Sequence, residues 1–413
     1  MLSTGRLTLS EIKRDYTLYG LEKNPFPYAG IPDDNPEFCV NRELELKKIE
    51  ECIGISLSGS SLHLALIGNY GNGKTHILKY VKSEVNKQLT VNKFKAVAGY
   101  VTNPGQSFVN IYRNFMHDLG IDFFKKIAWR IMGKVVASLA KDEFFHKSSD
   151  NSLRILNELK EKPENIQKYI EEGEVLLPAV LKEIRKKLTS TVKSVDIINS
   201  FLQLVMEENS LLAWKWISGE LTLHDQRKRI GVVSNIDKDH KALDAFMNIK
   251  SILKVAGIKL ICILIDEFES IENLPLPQKQ NLLNSIRHLI DLNPNGLCII
   301  IACTPETWKG IIKDYHAFSE RIFKEVLLKP LNEQTVKKFI AEYINYHKHN
   351  QNKNGKFNLS LNPFTQDAIN LILKLSQGNV RRILSLCNLA LDVACIKRVK
   401  EIDSDLIKDL ERF

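Results

Sequence analysis

Eight consecutive residues, Gly68-Asn69-Tyr70-Gly71-Asn72-Gly73-Lys74-Thr75, follow the spacing G-x-x-x-x-G-K-[ST]. Each residue type has a task in holding a chain of phosphates. The glycines let the backbone curl so that successive N–H groups point inward at phosphate oxygens. A helix starting at the end of the loop turns its positive N-terminus toward the same anion. The Lys74 ammonium reaches the β- and γ-phosphates, where it acts in binding and in catalysis, and the Thr75 hydroxyl ligates Mg²⁺. The pattern therefore points to ATP and Mg²⁺ as the bound species, with residues 68–75 as the cradle.

A second group follows the apolar run Leu260-Ile261-Cys262-Ile263-Leu264-Ile265. A buried strand emerging from a core exposes its first polar residues at its C-terminal end, and open α/β sheets bind their ligands along that edge. Asp266 is then placed to hold Mg²⁺, mostly through water, and Glu267 to orient and activate an attacking water. A solvated acidic turn after a core strand is the competing reading. Glu269 reads as peripheral. The run Leu297–Ala302 ends in Cys303-Thr304-Pro305, so Thr304 stands where a polar side chain meets the γ-phosphate or the water; it is equally an ordinary strand terminus. Phosphoryl transfer gains from an arginine near the developing charge. Arg321 lies just before the last strand, where it is offered to a neighbouring subunit, with a surface salt bridge as the alternative. Arg381 starts a late helix, where it closes over the ATP of its own chain.

These residues need a particular scaffold. Leu62–Ile67 reads as a strand running into the loop, and Ile77, Leu78, Val81 and Val85 lie on one face of the helix after it. A helix over Arg42–Ile53, stopped near Gly54, precedes them, and a second strand is expected at Ala96–Val101. From about 106 to 257 apolar residues recur at three and four, as in Phe108, Ile111, Tyr112 and Phe115, which predicts a long helical stretch with breaks near Gly133, Pro163, Gly173–Pro178 and Gly219. Strands return at 260–265, 297–302 and 326–328. The remainder reads as helical: Asn332 caps a helix through Tyr343, Asn362-Pro363-Phe364 opens another, and Gly378 precedes a third through Ile396. A loop is expected at 352–355. Prolines in Asn24-Pro25-Phe26-Pro27 and Ile31-Pro32-Asp33-Asp34 predict an extended arm before residue 35.

Together these features resemble the AAA+ ATPases, and within them the initiator-like branch that includes origin-recognition proteins. Asn24-Pro25-Phe26, Phe38 and Asn41-Arg42-Glu43 look like that branch's lead-in segment, and the resemblance implies that the backbone near Val40 lies by the adenine. Gly378-Asn379-Val380-Arg381 is similar to its sensor arginine motif. A closer likeness is to the ATP-binding proteins of bacteriophage-exclusion (BREX) defence systems. It is carried by Tyr70-Gly71-Asn72-Gly73-Lys74-Thr75-His76, Trp216-Ile217-Ser218-Gly219-Glu220, Arg229-Ile230-Gly231-Val232 and Ala256-Gly257 ahead of Leu264-Ile265-Asp266-Glu267-Phe268-Glu269. It adds His76 to the nucleotide contacts. The fold it implies is α/β: a P-loop NTPase (AAA+) parallel sheet flanked by helices, with a long helical insertion and a C-terminal all-helical lid. The expected division is an arm at 1–34, an AAA+ core at 35–330 interrupted at about 120–250, and a lid at 331–413. Origin-recognition proteins usually continue into a winged-helix DNA-binding domain, whereas this sequence ends at Phe413; DNA contact is expected from the insertion, the sheet's loops or a partner.

The bulk numbers bound the class. A chain of 413 residues with 44% hydrophobic and 26% charged residues belongs with globular proteins of two or three domains. A net charge of +9 favours an anionic partner, here double-stranded DNA, although a lysine-rich background gives the same excess. Over 121–250 there are 22 basic and 19 acidic side chains, a net of +3, so Lys182–Lys187 and Arg227-Lys228-Arg229 read as solvated helix faces more than as a DNA patch. Trp214 and Trp216 read as core ahead of base stacking. Seven cysteines without C-x-x-C spacing argue against zinc and disulfides and for a reducing compartment. No apolar run approaches a membrane span and no secretory leader is visible, so a cytoplasmic location without membrane partners is expected. The leading reading is an ATP-hydrolysing AAA+ motor or loader acting on DNA as a homo-oligomer, in defence or mobile-element control. The alternatives are a slow-turnover nucleotide-gated switch or scaffold recruiting a protein effector, and a plasmid or replication initiator-type ATPase.

Overall fold

The computed structural model describes residues 14–28, 36–87, 95–146, 151–349 and 361–410; Ile31–Asp34 and the expected loop at 352–355 lie outside them. Five strands form one sheet: β1 Leu64–Gly68, β2 Ala96–Val101, β3 Leu260–Ile265, β4 Leu297–Cys303 and β5 Lys324–Leu328. Their order across the sheet is β2-β3-β4-β1-β5. β2 runs parallel to β3, β3 to β4 and β4 to β1, with Val101 opposite Ile265 and Ile67 opposite Cys303. Parallel strands covered on both faces need unbroken apolar runs, and every residue of β1, β3 and β4 is buried.

The helices supply the crossovers that parallel neighbours require. α1 (Glu43–Leu57) precedes β1 and α2 (Lys74–Lys87) follows it. Between β2 and β3 the chain makes its long excursion through α3 (Phe108–Leu139), α4 (Ser152–Glu161), α5 (Ile166–Glu171), α6 (Leu177–Thr189), α7 (Val195–Gln203), α8 (Ser210–Ile217), α9 (His224–Ile230) and α10 (Asp239–Ala256). α11 (Leu276–Asp291), α12 (Pro305–Asp314) and the single turn α13 (His316–Ser319) separate the remaining strands. After β5 come α14 (Glu333–His349), α15 (Gln366–Ser376), α16 (Val380–Lys397) and α17 (Ser404–Leu410).

By packing, the chain forms two compact units. One joins the described parts of 1–47, 68–80 and 327–413; the other joins 48–67 and 81–326. The first has its core among the C-terminal helices, in Val336, Ile340, Ile369, Ile372, Ile383 and Leu391. The N-terminal segment belongs to that core. A 3₁₀ turn at Tyr16–Tyr19 leads to buried Tyr19, Leu21 and Phe26, and the Phe26 ring stacks on Tyr343 with centroids 5.3 Å apart. Asn24 and Tyr16 both donate to the Asp392 carboxylate, at 2.7 and 2.6 Å.

The second unit holds most of the sheet and the insertion, whose apolar faces merge into one core. α3 is broken at Gly120, where φ is +77°, into stretches over 108–119 and 121–139. Gly133, expected to interrupt a helix, instead sits buried within α3. A Cβ there would lie 1.8 Å from the Pro163 carbonyl oxygen, so this glycine permits close packing and breaks nothing. Gly54 likewise does not end its helix, which continues to Leu57. Pro363 stands ahead of its helix, which Thr365 caps by accepting from the Ala368 amide. Trp214 and Trp216 are buried, and the Trp216 indole donates to the Ser234 carbonyl at 2.9 Å.

His63, immediately before β1, is 3% exposed, and its Nδ1 accepts the Ile299 amide at 3.1 Å. That bond requires a neutral ring. Burial lowers the His63 pKa from 6.5 to about 4. Between these values the unfolded chain binds a proton that the folded chain refuses, so stability is complete above pH 6.5 and is lost as the pH falls toward 4. The loss amounts to about 3 kcal/mol. Denaturant unfolding at pH 7 and pH 4.5 should show about 2 kcal/mol of this loss in wild type and a smaller difference in His63→Asn; equal differences would exclude His63 as the source.

Candidate functional site

The residues singled out for chemistry fall into two sets, one in each unit. Gly68–His76, Val40 and Arg381 belong to the unit that contains the C-terminal helices; Asp266, Glu267, Thr304 and Arg321 belong to the other.

The glycine-rich loop follows β1 directly and ends at the first residue of α2. Gly71 and Gly73 have φ of +80° and +93°, the left-handed region that gives a loop its inward-facing amides. Six successive carbonyls are engaged elsewhere. Gly68 O accepts from Lys74 Nζ at 2.7 Å, Asn69 O from the Asn72 amide at 3.2 Å and Gly73 O from the Ile77 amide at 3.0 Å. Tyr70 O accepts from the Asn379 side chain at 2.6 Å, Gly71 O from the Arg381 amide at 3.0 Å and Asn72 O from the Arg42 guanidinium at 3.2 Å. A carbonyl turned into the cradle would repel phosphate; with all six committed, recognition is left to the amides, the α2 N-terminus and Lys74. The residues present thus fit a nucleotide's phosphates.

Three side chains hold the loop in this form. Asn72 is buried and donates to Leu328 O at 3.1 Å. Arg42 is buried, pairs with Glu45 at 3.0 Å and also donates to Lys329 O. Asn379 caps α16 through the Arg382 amide while its amide nitrogen grips Tyr70 O. The start of the sensor-like motif is therefore fastened to the loop itself, and a Cβ on Gly71 would strike the Asn379 side chain at 2.4 Å. The Arg381 side chain is exposed. His76 Nε2 lies 2.9 Å from Phe38 O, and Val40 packs on the core of the C-terminal helices. Thr75 is half-buried in the first turn of α2.

In the second set, Asp266 leaves β3 only 2% exposed. Its amide donates to Val101 O at 2.8 Å, Oδ1 accepts from the Glu267 amide at 2.9 Å and Oδ2 from the Tyr100 hydroxyl at 2.8 Å. Both donors to the carboxylate are neutral, and among the described residues no ion pair engages it. A buried charge left so calls for a cation. Among the described residues no three His, Cys, Asp or Glu side chains gather as a metal site. A lone carboxylate suits a cation that keeps several of its waters, as Mg²⁺ does. Glu267 is exposed and left-handed, with φ of +48°, an uncommon conformation for a residue with a side chain and one that collects at functional sites. The Tyr100 pKa is raised above the ordinary phenol range, first by burial and then by the Asp266 charge.

Thr304 is buried and caps α12: its hydroxyl accepts the Thr307 amide at 3.3 Å and donates to Thr307 Oγ1 at 3.1 Å. Arg321 is partly exposed and pairs with Asp291 at 3.0 Å and Glu320 at 3.7 Å. Tyr100 was not singled out from sequence, although a polar aromatic near the end of an Ala, Val and Gly strand is the signal that marks it. The insertion motif proves to be packing: Tyr112 donates to Ile217 O at 2.6 Å and Arg113 to Gly219 O at 2.8 Å, which closes α8 onto α3.

The model of the family described as BREX system ATP-binding protein BrxC/D matches residues 26–352. No curated protein matches. Among solved structures, the Aeropyrum pernix ORC2 protein in its ADPNP-ADP complexes aligns with a TM-score of 0.51 at 10% identity, over 93% of this chain and 71% of that one. The Aeropyrum pernix ORC1 protein in complex with DNA aligns with a TM-score of 0.46 at 13% identity, over 95% and 70%. At such identities the likeness to ORC2 speaks for the fold, which is the expected AAA+ P-loop architecture.

Proposed function

Since the chain belongs to the BrxC/BrxD family of BREX ATP-binding proteins, we propose that it hydrolyses the ATP it binds and uses the cycle, as an oligomer, to act on double-stranded DNA. The observation that carries hydrolysis is the pair at the end of β3. Asp266 is buried without a cationic partner among the described residues, and the exposed Glu267 follows it in a left-handed conformation. In the proposed reaction Lys74 transfers its ammonium from Gly68 O to the β- and γ-phosphates. Mg²⁺, held by Thr75 and through water by Asp266, would neutralise charge on those phosphates. Glu267 orients a water whose oxygen bonds to the γ-phosphorus. The bond from that phosphorus to the bridging oxygen breaks toward ADP, and the water's proton passes to the Glu267 carboxylate. Val40 and His76 border the nucleotide, and Arg381 closes on it from α16. Thr304 meets the terminal phosphate by giving up its cap bond.

Arg321 is proposed as the arginine offered to a neighbouring subunit's ATP. Its present partners cost little to leave, because exposed pairs are worth only about 0–1 kcal/mol. Arg321→Ala should leave nucleotide binding unchanged and lower turnover of the assembly by about 100-fold, below the ceiling for such arginines. Turnover measured against protein concentration, with and without double-stranded DNA, checks this: a cooperative rise and stimulation by DNA are expected in wild type alone. One observation favours the switch or scaffold reading. Arg227 donates to Thr222 O and Val233 O, and Arg229 to Glu208 O, so this basic run is partly spent on its own backbone. Slow turnover, flat in concentration and indifferent to DNA, would select that reading.

A further inference from the structure

Tyr100 is the penultimate residue of β2, whose other residues are alanine, valine and glycine. Its hydroxyl reaches Oδ2 of Asp266 at 2.8 Å while the Glu267 amide holds Oδ1 at 2.9 Å, so each oxygen of the buried carboxylate is fixed from a different direction. Tyr100 is itself held in place. Its amide donates to Oδ2 of Asp118 at 2.8 Å, and Oδ1 of that carboxylate takes Lys82 Nζ at 2.6 Å. Lys82 lies on α2 and Asp118 on α3, two residues before the break at Gly120. Below it, Gly99 leaves room for the Phe115 ring, which a Cβ would meet at 2.5 Å.

We propose that Tyr100 is a positioning residue, which fixes the rotamer of Asp266 so that the carboxylate is ready for Mg²⁺. The inference rests on the reading of Asp266 as the magnesium carboxylate. Mg²⁺ demands near-ideal octahedral geometry, so a carboxylate that holds it, directly or through water, gains from having its orientation set beforehand. A neutral hydroxyl does this without cancelling the charge that attracts the cation; a lysine or arginine at position 100 would cancel it. Loss of such a partner ordinarily weakens metal affinity by about 10–100-fold. The chain Lys82–Asp118–Tyr100–Asp266 also joins the first helix of the insertion to the metal carboxylate.

The test is a Mg²⁺ titration of fluorescent ATP-analogue binding to the full chain, as wild type, Tyr100→Phe, Asp266→Asn and the double variant. Phenylalanine keeps the ring and removes only the donor, and a thermal melt confirms the fold. The expected result has three parts. Tyr100→Phe raises the half-saturating Mg²⁺ concentration about 10-fold. Its analogue affinity in EDTA equals that of wild type. Added to Asp266→Asn, it gives no further shift. An unmoved midpoint, or equal losses with and without Mg²⁺, would overturn the proposal. If Asp266→Asn itself leaves the midpoint unmoved, the metal assignment falls and Tyr100's role with it. If Asp266→Asn moves the midpoint and Tyr100→Phe does not, only the role of Tyr100 falls.

Discussion

Lys74→Ala should weaken ATP binding by at least about 100-fold, or ~2.7 kcal/mol. The Lys74 side chain is buried at the start of α2, with its ammonium 2.7 Å from Gly68 O, at the turn where the phosphates are received. Charge-assisted bonds to phosphate are about twice as strong as neutral ones, and no other cation of the loop replaces this one. Alanine is the best helix former, so the substitution does not endanger α2. The carbonyls of Tyr70, Gly71 and Asn72 stay committed to Asn379, Arg381 and Arg42, and only Gly68 O loses its donor. Equilibrium titration with a fluorescent ATP analogue checks the prediction. Affinity within a few-fold of wild type, in a protein that melts normally, would remove the loop as the phosphate site.

Glu267→Gln should have the opposite profile: nucleotide binding intact, turnover reduced by about 10²–10⁴-fold. Glu267 is exposed, so glutamine loses no packing, and its left-handed backbone strains both side chains alike. The amide that Asp266 Oδ1 accepts belongs to the backbone and survives the change. What disappears is the carboxylate that takes the water's proton. The variant should therefore retain ATP uncleaved after desalting, where wild type retains ADP. Nucleotide identification in the two desalted proteins decides this. A variant that cleaves ATP at the wild-type rate would transfer the role of the base to another residue.

Both predictions rest on features legible in the sequence, for a physical reason. A strand buried on both faces must be an unbroken apolar run, so Ala96–Val101 and Leu260–Ile265 appear in the structure with the bounds read from residue types. The strand ends then mark Gly68 and Asp266 by chain order alone. The four apolar residues expected on one face of α2, Ile77, Leu78, Val81 and Val85, are all buried.

The failures have an equally definite cause. Glycine marks a break when its backbone is left-handed and marks close packing when it is helical, and local sequence does not separate the two. Gly120, unremarked beforehand, is left-handed, whereas Gly133 is helical and faces the Pro163 carbonyl 30 residues away in sequence. The fastening of Asn379 to Tyr70 spans 309 residues and the Tyr100–Asp266 bond 166, so neither follows from spacing. The basic stretch 182–187 lies on α6, whose Val180, Ile184 and Leu188 are buried, which agrees with a solvated helix face. The stretch Trp216–Glu220, which carried part of the family resemblance, serves the packing of α8 on α3. The chain has, among its described residues, no helix long and apolar enough to cross a membrane.

The most direct test of ATP hydrolysis is phosphate release from ATP and Mg²⁺ by purified wild type beside Glu267→Gln, over a range of protein concentrations with and without double-stranded DNA. The expected result is release by wild type, rising cooperatively with concentration, and its near-complete loss in the variant. Equal release from the two proteins, or none from wild type under any of these conditions, would contradict it.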